Sequence, residues 1–314
     1  MKKISILVPC YNEEEVLAET TKRLNLKLKN LIDTKKIGAK SRILYVNDGS
    51  KDSTWSLIEE FYEKNELVSG LNLSRNRGHQ NAVLAGLLYA ADHADMTISM
   101  DADLQDDIDA IDEMVEKYLE GADVVYGVRS GRKKDSLFKR FTAEAFYKLM
   151  LSMGVEIVFN HADFRLMSKR AVKSLSEYKE VNLFLRGIVP LIGFKSAKVY
   201  YERSERFAGK SKYPFRKMIS FALDGITSFS VKPIRMILTM GLLIFIISIG
   251  ILIYSLIEHF YGDTVLGWSS IMVSIWALGG LELLAIGIVG EYIGKMYLET
   301  KRRPRFAISD ILDD

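Results

Sequence analysis

The sequence predicts an α/β domain with a mostly parallel sheet, followed by an apolar helical region. Two observations support this prediction. Between Met1 and Ser130, short β-rich runs alternate with runs of helical periodicity, an order typical of a parallel sheet covered by helices. Charge then disappears late in the chain, where residues 236–257 contain no Asp, Glu, Lys or Arg. The length of 314 residues also favours two structural units over one.

Strands and helices are expected in strict alternation over the first part of the chain. The predicted strands are 4–9, 42–47, 69–74, 96–100 and 123–128, and the predicted helices are 14–32, 53–64, 80–93 and 108–120. The carboxyl ends of parallel strands meet at one edge of a sheet, and ligands of such folds bind there. The polar residues that follow each strand are therefore the first candidates for a site.

Polar clusters follow four of the predicted strands: Tyr11-Asn12-Glu13, Asn47-Asp48-Gly49-Ser50, Ser74-Arg75-Asn76-Arg77-Gly78 and Asp101-Ala102-Asp103. Each cluster alone fits an ordinary turn or helix cap. Their joint occurrence at one sheet edge predicts a binding site. No G-x-G-x-x-G follows a strand and no G-x-x-x-x-G-K-[ST] is present, so the sequence does not support a dinucleotide dehydrogenase or a P-loop ATPase.

A divalent metal is the predicted means of holding phosphate at this edge. Asp101 and Asp103 are separated by one residue, so one or both carboxylates are expected to meet a hard cation that in turn binds a diphosphate. The four histidines show no spacing typical of zinc ligands. The expected cofactor is therefore Mg²⁺ or Mn²⁺.

The apolar region predicts a transmembrane hairpin with spans of about 236–257 and 267–292. The first span would extend about 33 Å, enough for a bilayer core of about 30 Å. Lys and Arg flank both ends of the hairpin but are absent from its connection, which places both ends and the catalytic part in the cytoplasm. We expect a multi-pass protein of the plasma membrane. A glycine face on the second span, including Gly280, Gly287 and Gly294, favours close helix packing, either in self-association or on the first span.

Four segments follow from these patterns: a cytoplasmic catalytic domain (1–211), a juxtamembrane amphipathic helix (212–234), the hairpin (235–294) and a cytoplasmic tail (295–314). The near balance of 43 Lys+Arg against 40 Asp+Glu excludes a strongly basic nucleic-acid-coating chain, so no nucleic-acid partner is expected.

Five motifs together resemble the family 2 glycosyltransferases of GT-A fold, and among them the bacterial polyprenyl-phosphate (bactoprenol) enzymes. The motifs are Val8–Glu14, Val46–Thr54, Asn76–Gln80, Asp101–Asp106 and Asp163–Leu166, joined by Arg206–Tyr213, Gly290–Gly294 and Lys301–Pro304 nearer the C-terminus. The resemblance extends through the whole chain. It implies transfer of a sugar from a nucleotide-sugar donor to undecaprenyl phosphate, giving a polyprenyl-phosphate sugar for the cell envelope.

The resemblance also implies a role for individual residues. Pro9, Tyr11, Glu13, Asp48, Asp101, Arg206 and Lys212 would bind the nucleotide-sugar, with Asp101 and Asp103 meeting the metal. Asp163, together with Asp103, Gln105 and Asp106, would form the catalytic group, although Asp163 also fits an Asx-turn or a partner for Arg165.

The lipid-phosphate acceptor is expected at a basic stretch that contains Arg129, Arg132, Lys139 and Arg140. Apolar residues recur at helical spacing in 137–153 and in 213–231, which favours amphipathic helices at the membrane surface or ordinary packing on the sheet. An acceptor phosphate is already anionic near neutral pH, so direct displacement with inversion requires no strong base. Asp163 is then a positioning residue or a weak base.

The donor is expected to be UDP-glucose or UDP-N-acetylglucosamine. The main alternative is a mannose synthase that uses GDP-mannose with the same lipid acceptor. A processive polysaccharide synthase is less well supported, because residues 182–187 lack its Q-x-x-R-W motif and only two spans are predicted. A non-enzymatic nucleotide-sugar sensor would not require the full set of acidic residues at the strand ends.

Overall fold

The computed structural model describes residues 1–130, 161–181, 183–202, 232–261 and 267–313. The strands are β1 Ile4–Cys10, β2 Arg42–Asn47, β3 Val68–Leu73, β4 Met96–Ser99, β5 Val124–Arg129, β6 His161–Ser168, β7 Ser196–Tyr201 and β8 Ile308–Leu312. The helices, relabelled in chain order, are α1 Leu17–Asp33, α2 Thr54–Lys64, α3 His79–His93, α4 Ala110–Leu119, α5 Lys169–Ser176, α6 Leu185–Leu191, α7 Lys232–Tyr261 and α8 Trp268–Lys301.

Within these residues the strands form one sheet in the order β7-β5-β6-β4-β1-β2-β3-β8. Strand β1 pairs in parallel with β2 and β4, and β2 pairs in parallel with β3. Strand β6 is antiparallel to both β4 and β5, whereas β7 runs parallel to β5. The predicted α/β class and the central parallel strands are confirmed. The carboxyl ends of β1, β2, β3 and β4 therefore meet at one edge, as expected.

Apolar side chains cover both faces of the sheet. Helices α1, α2 and α4 contribute to the core on one face, and α3, α5 and α6 contribute to the core on the other. Strand β1 is buried along its whole length, as is typical of a strand covered on both sides. Helix α3 approaches the sheet closely at Gly86, where an added Cβ would lie 2.2 Å from Leu7 Cδ1.

Helices α7 and α8 occupy the positions of the predicted spans and are 30 and 34 residues long. Large apolar side chains are exposed on both, among them Leu243, Ile246, Leu283 and Ile286. Within the described residues, however, no helix has the combined length and apolar character that crossing a membrane requires. The predicted transmembrane hairpin, and with it the multi-pass placement, is not supported. Self-association through the glycine face stays a prediction.

The C-terminal residues return to the sheet. Strand β8 pairs antiparallel with β3, with Leu71 opposite Ile311. Residues 295–314, predicted as a tail, thus include the end of α8 and an edge strand. The sequence signal was weak because β8 has only five residues and four of them are exposed. The predicted amphipathic stretches 137–153 and 213–231 lie outside the described residues.

Candidate active site

Asp48 lies buried at the end of β2, with 2% of its surface exposed. Its carboxylate accepts hydrogen bonds from the backbone N–H of Arg77 at 2.6 Å and of Gly78 at 2.9 Å. Burial raises the pKa of Asp48, while the two N–H groups favour the charged form. The next residue, Gly49, has a φ of 61°, and an added Cβ would lie 2.5 Å from Arg75 C. Only glycine fits at position 49, so the turn after Asp48 is confined to one backbone conformation. The two N–H groups then hold the Asp48 carboxylate in place.

The loop after β1 is fastened to the loop after β2. Asn12 has a φ of 53°, and its N–H donates to Ser50 Oγ at 3.0 Å. The N–H of Glu13 donates to Thr54 Oγ1 at 2.9 Å. The predicted nucleoside-binding residues Pro9, Tyr11 and Glu13, at the end of β1, therefore lie next to the end of β2, which carries Asp48.

The loop after β4 carries the predicted metal ligands. It is held against α1, where Thr20 Oγ1 donates to Ala102 O at 2.8 Å. Asp103 Oδ1 accepts from the N–H of Gln105 at 3.2 Å, and Leu104 between them has a φ of 57°. The side chain of Asp101 keeps 40% of its surface exposed, so its carboxylate is accessible from the edge of the sheet.

The electrostatic environment of Asp101 suits a cation. Its pKa is raised to about 6, chiefly by partial burial and further by the nearby carboxylates of Asp106, Asp163 and Asp103, while the His79 ring opposes the rise. Within the described residues there is no group of three or more His, Cys, Asp or Glu side chains placed to hold a metal. Two carboxylates completed by substrate phosphates and water are nevertheless the usual surroundings of Mg²⁺. The residues present fit such a metal.

Asp163, on β6, is surrounded by arginines. Arg165 Nη2 donates to its Oδ1 at 2.8 Å, and Arg186 donates through Nε at 3.1 Å and through Nη2 at 2.9 Å. Burial alone would raise the pKa of Asp163, but Arg186 and Arg165 hold it well below its usual range. Asp163 thus lies at the same edge of the sheet as the other acidic residues, and it also pairs with Arg165.

His79 lies between the two acidic groups. Its Nε2 is 3.7 Å from Asp101 Oδ1 and 3.7 Å from Asp163 Oδ2. It is the first residue of α3, following Gly78, whose φ of 87° turns the chain into the helix. The His79 ring therefore lies between Asp101, which suits a metal, and Asp163, which is held by two arginines.

A third carboxylate, Asp106, is 3% exposed and lies beside Tyr201 at the end of β7. The Tyr201 hydroxyl donates to Asp106 Oδ1, and Arg129 Nη2 is 3.5 Å from the same oxygen. Burial raises the pKa of Asp106, and Arg129 and the Tyr201 hydroxyl oppose that rise. Arg129 thus lies at the site, held by a carboxylate from the loop after β4.

The predicted residues are only partly covered by the structure. Arg132, Lys139, Arg140, Arg206 and Lys212 lie outside the described residues. Three residues of the site had no predicted role: His79, Arg186 and Tyr201. His79 directly follows the polar cluster after β3 and could have been found on that ground, whereas Arg186 and Tyr201 follow no local signal and are brought in by α6 and β7.

Comparisons with known proteins agree with this geometry. The family described as Glycosyl transferase family 2 matches residues 5–176. An uncharacterized glycosyltransferase of Bacillus subtilis, YkoT, is 54% identical over 305 residues, which cover 97% of this chain and 90% of its own. A bactoprenol glucosyl transferase of Shigella phage SfX is 42% identical over 308 residues, or 98% of each chain.

A solved structure is also similar in part. Glucosyl-3-phosphoglycerate synthase from Mycobacterium tuberculosis, in complex with Mn²⁺, UDP-glucose and phosphoglyceric acid, matches 73% of this chain and 78% of its own at 15% identity, with a TM-score of 0.45. This likeness is too weak to assign a ligand.

Residues 5–176 contain the strand ends that carry Asp48, Asp101, Asp103 and Asp163, so the family match covers most of the site described above. The fold is α/β and GT-A-like. The chain belongs to glycosyl transferase family 2, and it is a glycosyltransferase.

Proposed function

We propose that this protein transfers glucose or N-acetylglucosamine from its UDP derivative to undecaprenyl phosphate, with inversion at the anomeric carbon. The observation that carries the proposal is the division of the site at His79. Asp101 and Asp103 lie on one side and suit a metal-bound diphosphate, whereas Arg186 and Arg165 lie on the other side and suit an anionic acceptor.

On the donor side, Asp48, Tyr11 and Glu13 bind the nucleoside. A carboxylate accepts hydrogen bonds from a base N–H or a ribose hydroxyl, which fits the fixed and buried position of Asp48. Asp101 and Asp103 hold Mg²⁺ or Mn²⁺. The metal supplies charge neutralisation for the departing diphosphate.

On the acceptor side, a phosphate oxygen attacks the anomeric carbon as the bond from that carbon to the diphosphate oxygen breaks and UDP leaves. One displacement of this kind inverts the configuration. The phosphate is already ionised, and the arginines keep Asp163 ionised with a low pKa, which makes it a weak base. Asp163 therefore positions Arg186, and the guanidinium orients the acceptor phosphate together with Arg129.

The lipid half of the acceptor supports an enzyme associated with the membrane on the cytoplasmic face, where UDP-sugars are made. The name of the Shigella phage relative, bactoprenol glucosyl transferase, supports a polyprenyl acceptor. The exposed apolar side chains of α7 and α8 offer a surface for the lipid.

The test is a transfer assay with radiolabelled UDP-glucose, UDP-N-acetylglucosamine and GDP-mannose, each with undecaprenyl phosphate. We expect label in the lipid extract from one UDP-sugar, in a reaction that requires Mg²⁺ or Mn²⁺, and a product of inverted anomeric configuration by NMR. Transfer from GDP-mannose alone would favour the mannose synthase, and no transfer from any donor would contradict the proposal.

A further inference from the structure

The end of α8 and the residues after it are fastened to the catalytic domain at two places, the edge strand β3 with its neighbours and the chain between α5 and α6. On the side of β3, Asn72 Nδ2 donates to Asp310 Oδ2 at 3.0 Å, and Tyr89 OH donates to Asp313 Oδ2 at 2.7 Å. Arg42 pairs with the same aspartate. These contacts fix where α8 ends relative to the sheet.

A second set of contacts leads to the acceptor side. Both carboxylate oxygens of Glu299, in the last turn of α8, accept from the N–H of Val181, at 2.7 and 2.8 Å. Arg305 Nη2 donates to Tyr178 O at 2.6 Å. Burial lowers the pKa of Arg305, and Glu180 and Glu299 oppose that effect. Glu299 and Arg305 therefore hold the chain between α5 and α6 from two points.

That connection leads directly into α6, which carries Arg186. Helix α6 has only seven residues, Phe184 provides no side-chain cap, and Pro190 lies inside it. So short a helix has little stability of its own, and its position depends on tertiary contacts. Its apolar side chains pack in the core, and at its start Leu185 donates through N–H to Gln80 Oε1 at 2.8 Å and accepts from Arg165 Nη1 at 3.4 Å.

We infer that Glu299 and Arg305 are positioning residues for Arg186, so that the end of the apolar helix α8 sets the geometry of the acceptor side. The inference rests on the proposed function, in which Arg186 orients the lipid phosphate. Only four residues lie between Val181 and Arg186, and Arg186 is bidentate to Asp163. Displacement of the connection therefore misaligns the guanidinium without disturbing Asp48 on the donor side.

The test compares full-length Glu299→Ala with Glu291→Ala, the same change on an exposed residue about two turns earlier in α8. Loss of a hydrogen bond to a charged group corresponds to about a tenfold effect or more. We expect the KM for undecaprenyl phosphate to rise about tenfold in Glu299→Ala only, with the KM for the sugar nucleotide and the kcat nearly unchanged. Glu299→Gln, which keeps an acceptor for Val181 N–H, is expected to recover most of the wild-type KM.

A double-mutant cycle separates positioning from general stability. In an Arg186→Lys background, Glu299→Ala is expected to add no further rise in the acceptor KM. Additive effects, or equal rises in both KM values, would overturn the inference. If the wild type does not transfer sugar to the lipid phosphate, the proposed function fails. If the wild type does transfer it and Glu299→Ala has an unchanged acceptor KM, only this inference fails.

Discussion

Asp101 and Asp163 lie at the same distance from His79 Nε2, 3.7 Å, yet their pKa values move in opposite directions. The pKa of Asp101 is raised to about 6, whereas that of Asp163 is held well below its usual range. Burial raises the pKa of both, yet the raised pKa belongs to Asp101, whose side chain is the more exposed of the two, so burial does not explain the difference. The difference comes from the partners: two arginines pair with Asp163, and no described Lys or Arg forms an ion pair with Asp101.

Under the proposed function, this difference lets one sheet edge bind two anionic substrates. A carboxylate without a protein cation attracts a metal, which then binds a diphosphate. A carboxylate already neutralised by two arginines attracts no metal and instead fixes those arginines for another anion. The predictions below alter one side and leave the other intact.

The largest effect is expected for the metal side. Asp101→Asn and Asp103→Asn remove carboxylate ligands, and each is expected to lower kcat/KM for sugar transfer by at least about a hundredfold. Asp109→Asn is the matched control, since its side chain is 84% exposed in the same acidic segment. Full activity of chelator-treated wild-type enzyme would refute the metal assignment.

A smaller loss is expected for the arginine side. Arg186→Lys keeps the charge but loses the planar pair of donors that binds Asp163. We expect kcat/KM for undecaprenyl phosphate to fall about ten- to a hundredfold, with the KM for the donor nearly unchanged. Steady-state kinetics with each substrate varied in turn would measure this. Equal changes for both substrates would show that Arg186 does not serve the acceptor.

Tyr201→Phe tests whether Asp106 needs its hydroxyl donor. Removing the hydroxyl leaves a buried carboxylate with one fewer partner, so the free energy of unfolding is expected to fall by about 1–3 kcal/mol. The effect on kcat/KM is expected to be smaller than that of Arg186→Lys. Thermal unfolding and the transfer assay together measure it, and unchanged stability would show that the contact with Asp106 contributes little.

The smallest effect on activity is expected for Asp123, a carboxylate away from the site that pairs with Arg170 and Ser168. Hydrogen bonding to Arg170 lowers its pKa, so its stabilising effect is present above its unfolded pKa and is lost as the pH falls through the folded value. Asp123→Asn should lower the Tm at pH 7 and leave transfer unchanged, with the difference shrinking in acid. A Tm difference that grew in acid would contradict this sign.

The sequence predicted the central fold, and the placement of acidic residues at its strand ends, well, because both depend on local signals. Alternation placed β1 to β4 within one or two residues, and polar residues after each strand identified Asp48, Asp101 and Asp103. The partners of Asp163 were harder to find. Arg165 is two residues away from Asp163 and is a predicted partner, but Arg186 and Tyr201 reach the site through α6 and β7, whose positions no local pattern reveals.

The prediction of a transmembrane hairpin shows where reasoning from local sequence patterns fails. It depended on length and lack of charge in two segments, and the described residues form long helices there without a segment that could cross a membrane. Local patterns also miss the exposed strand β8, because its partner β3 lies more than 230 residues earlier in the chain.

The division of the site at His79 is tested most directly by calorimetric measurement of UDP binding, with and without Mn²⁺, in the wild type, Asp101→Asn and Arg186→Lys. We expect Mn²⁺ to strengthen UDP binding in the wild type and equally in Arg186→Lys, and to have no effect in Asp101→Asn. Loss of the Mn²⁺ effect in both variants, or in neither, would contradict the assignment of the donor diphosphate to the Asp101 side and of the acceptor to the Arg186 side.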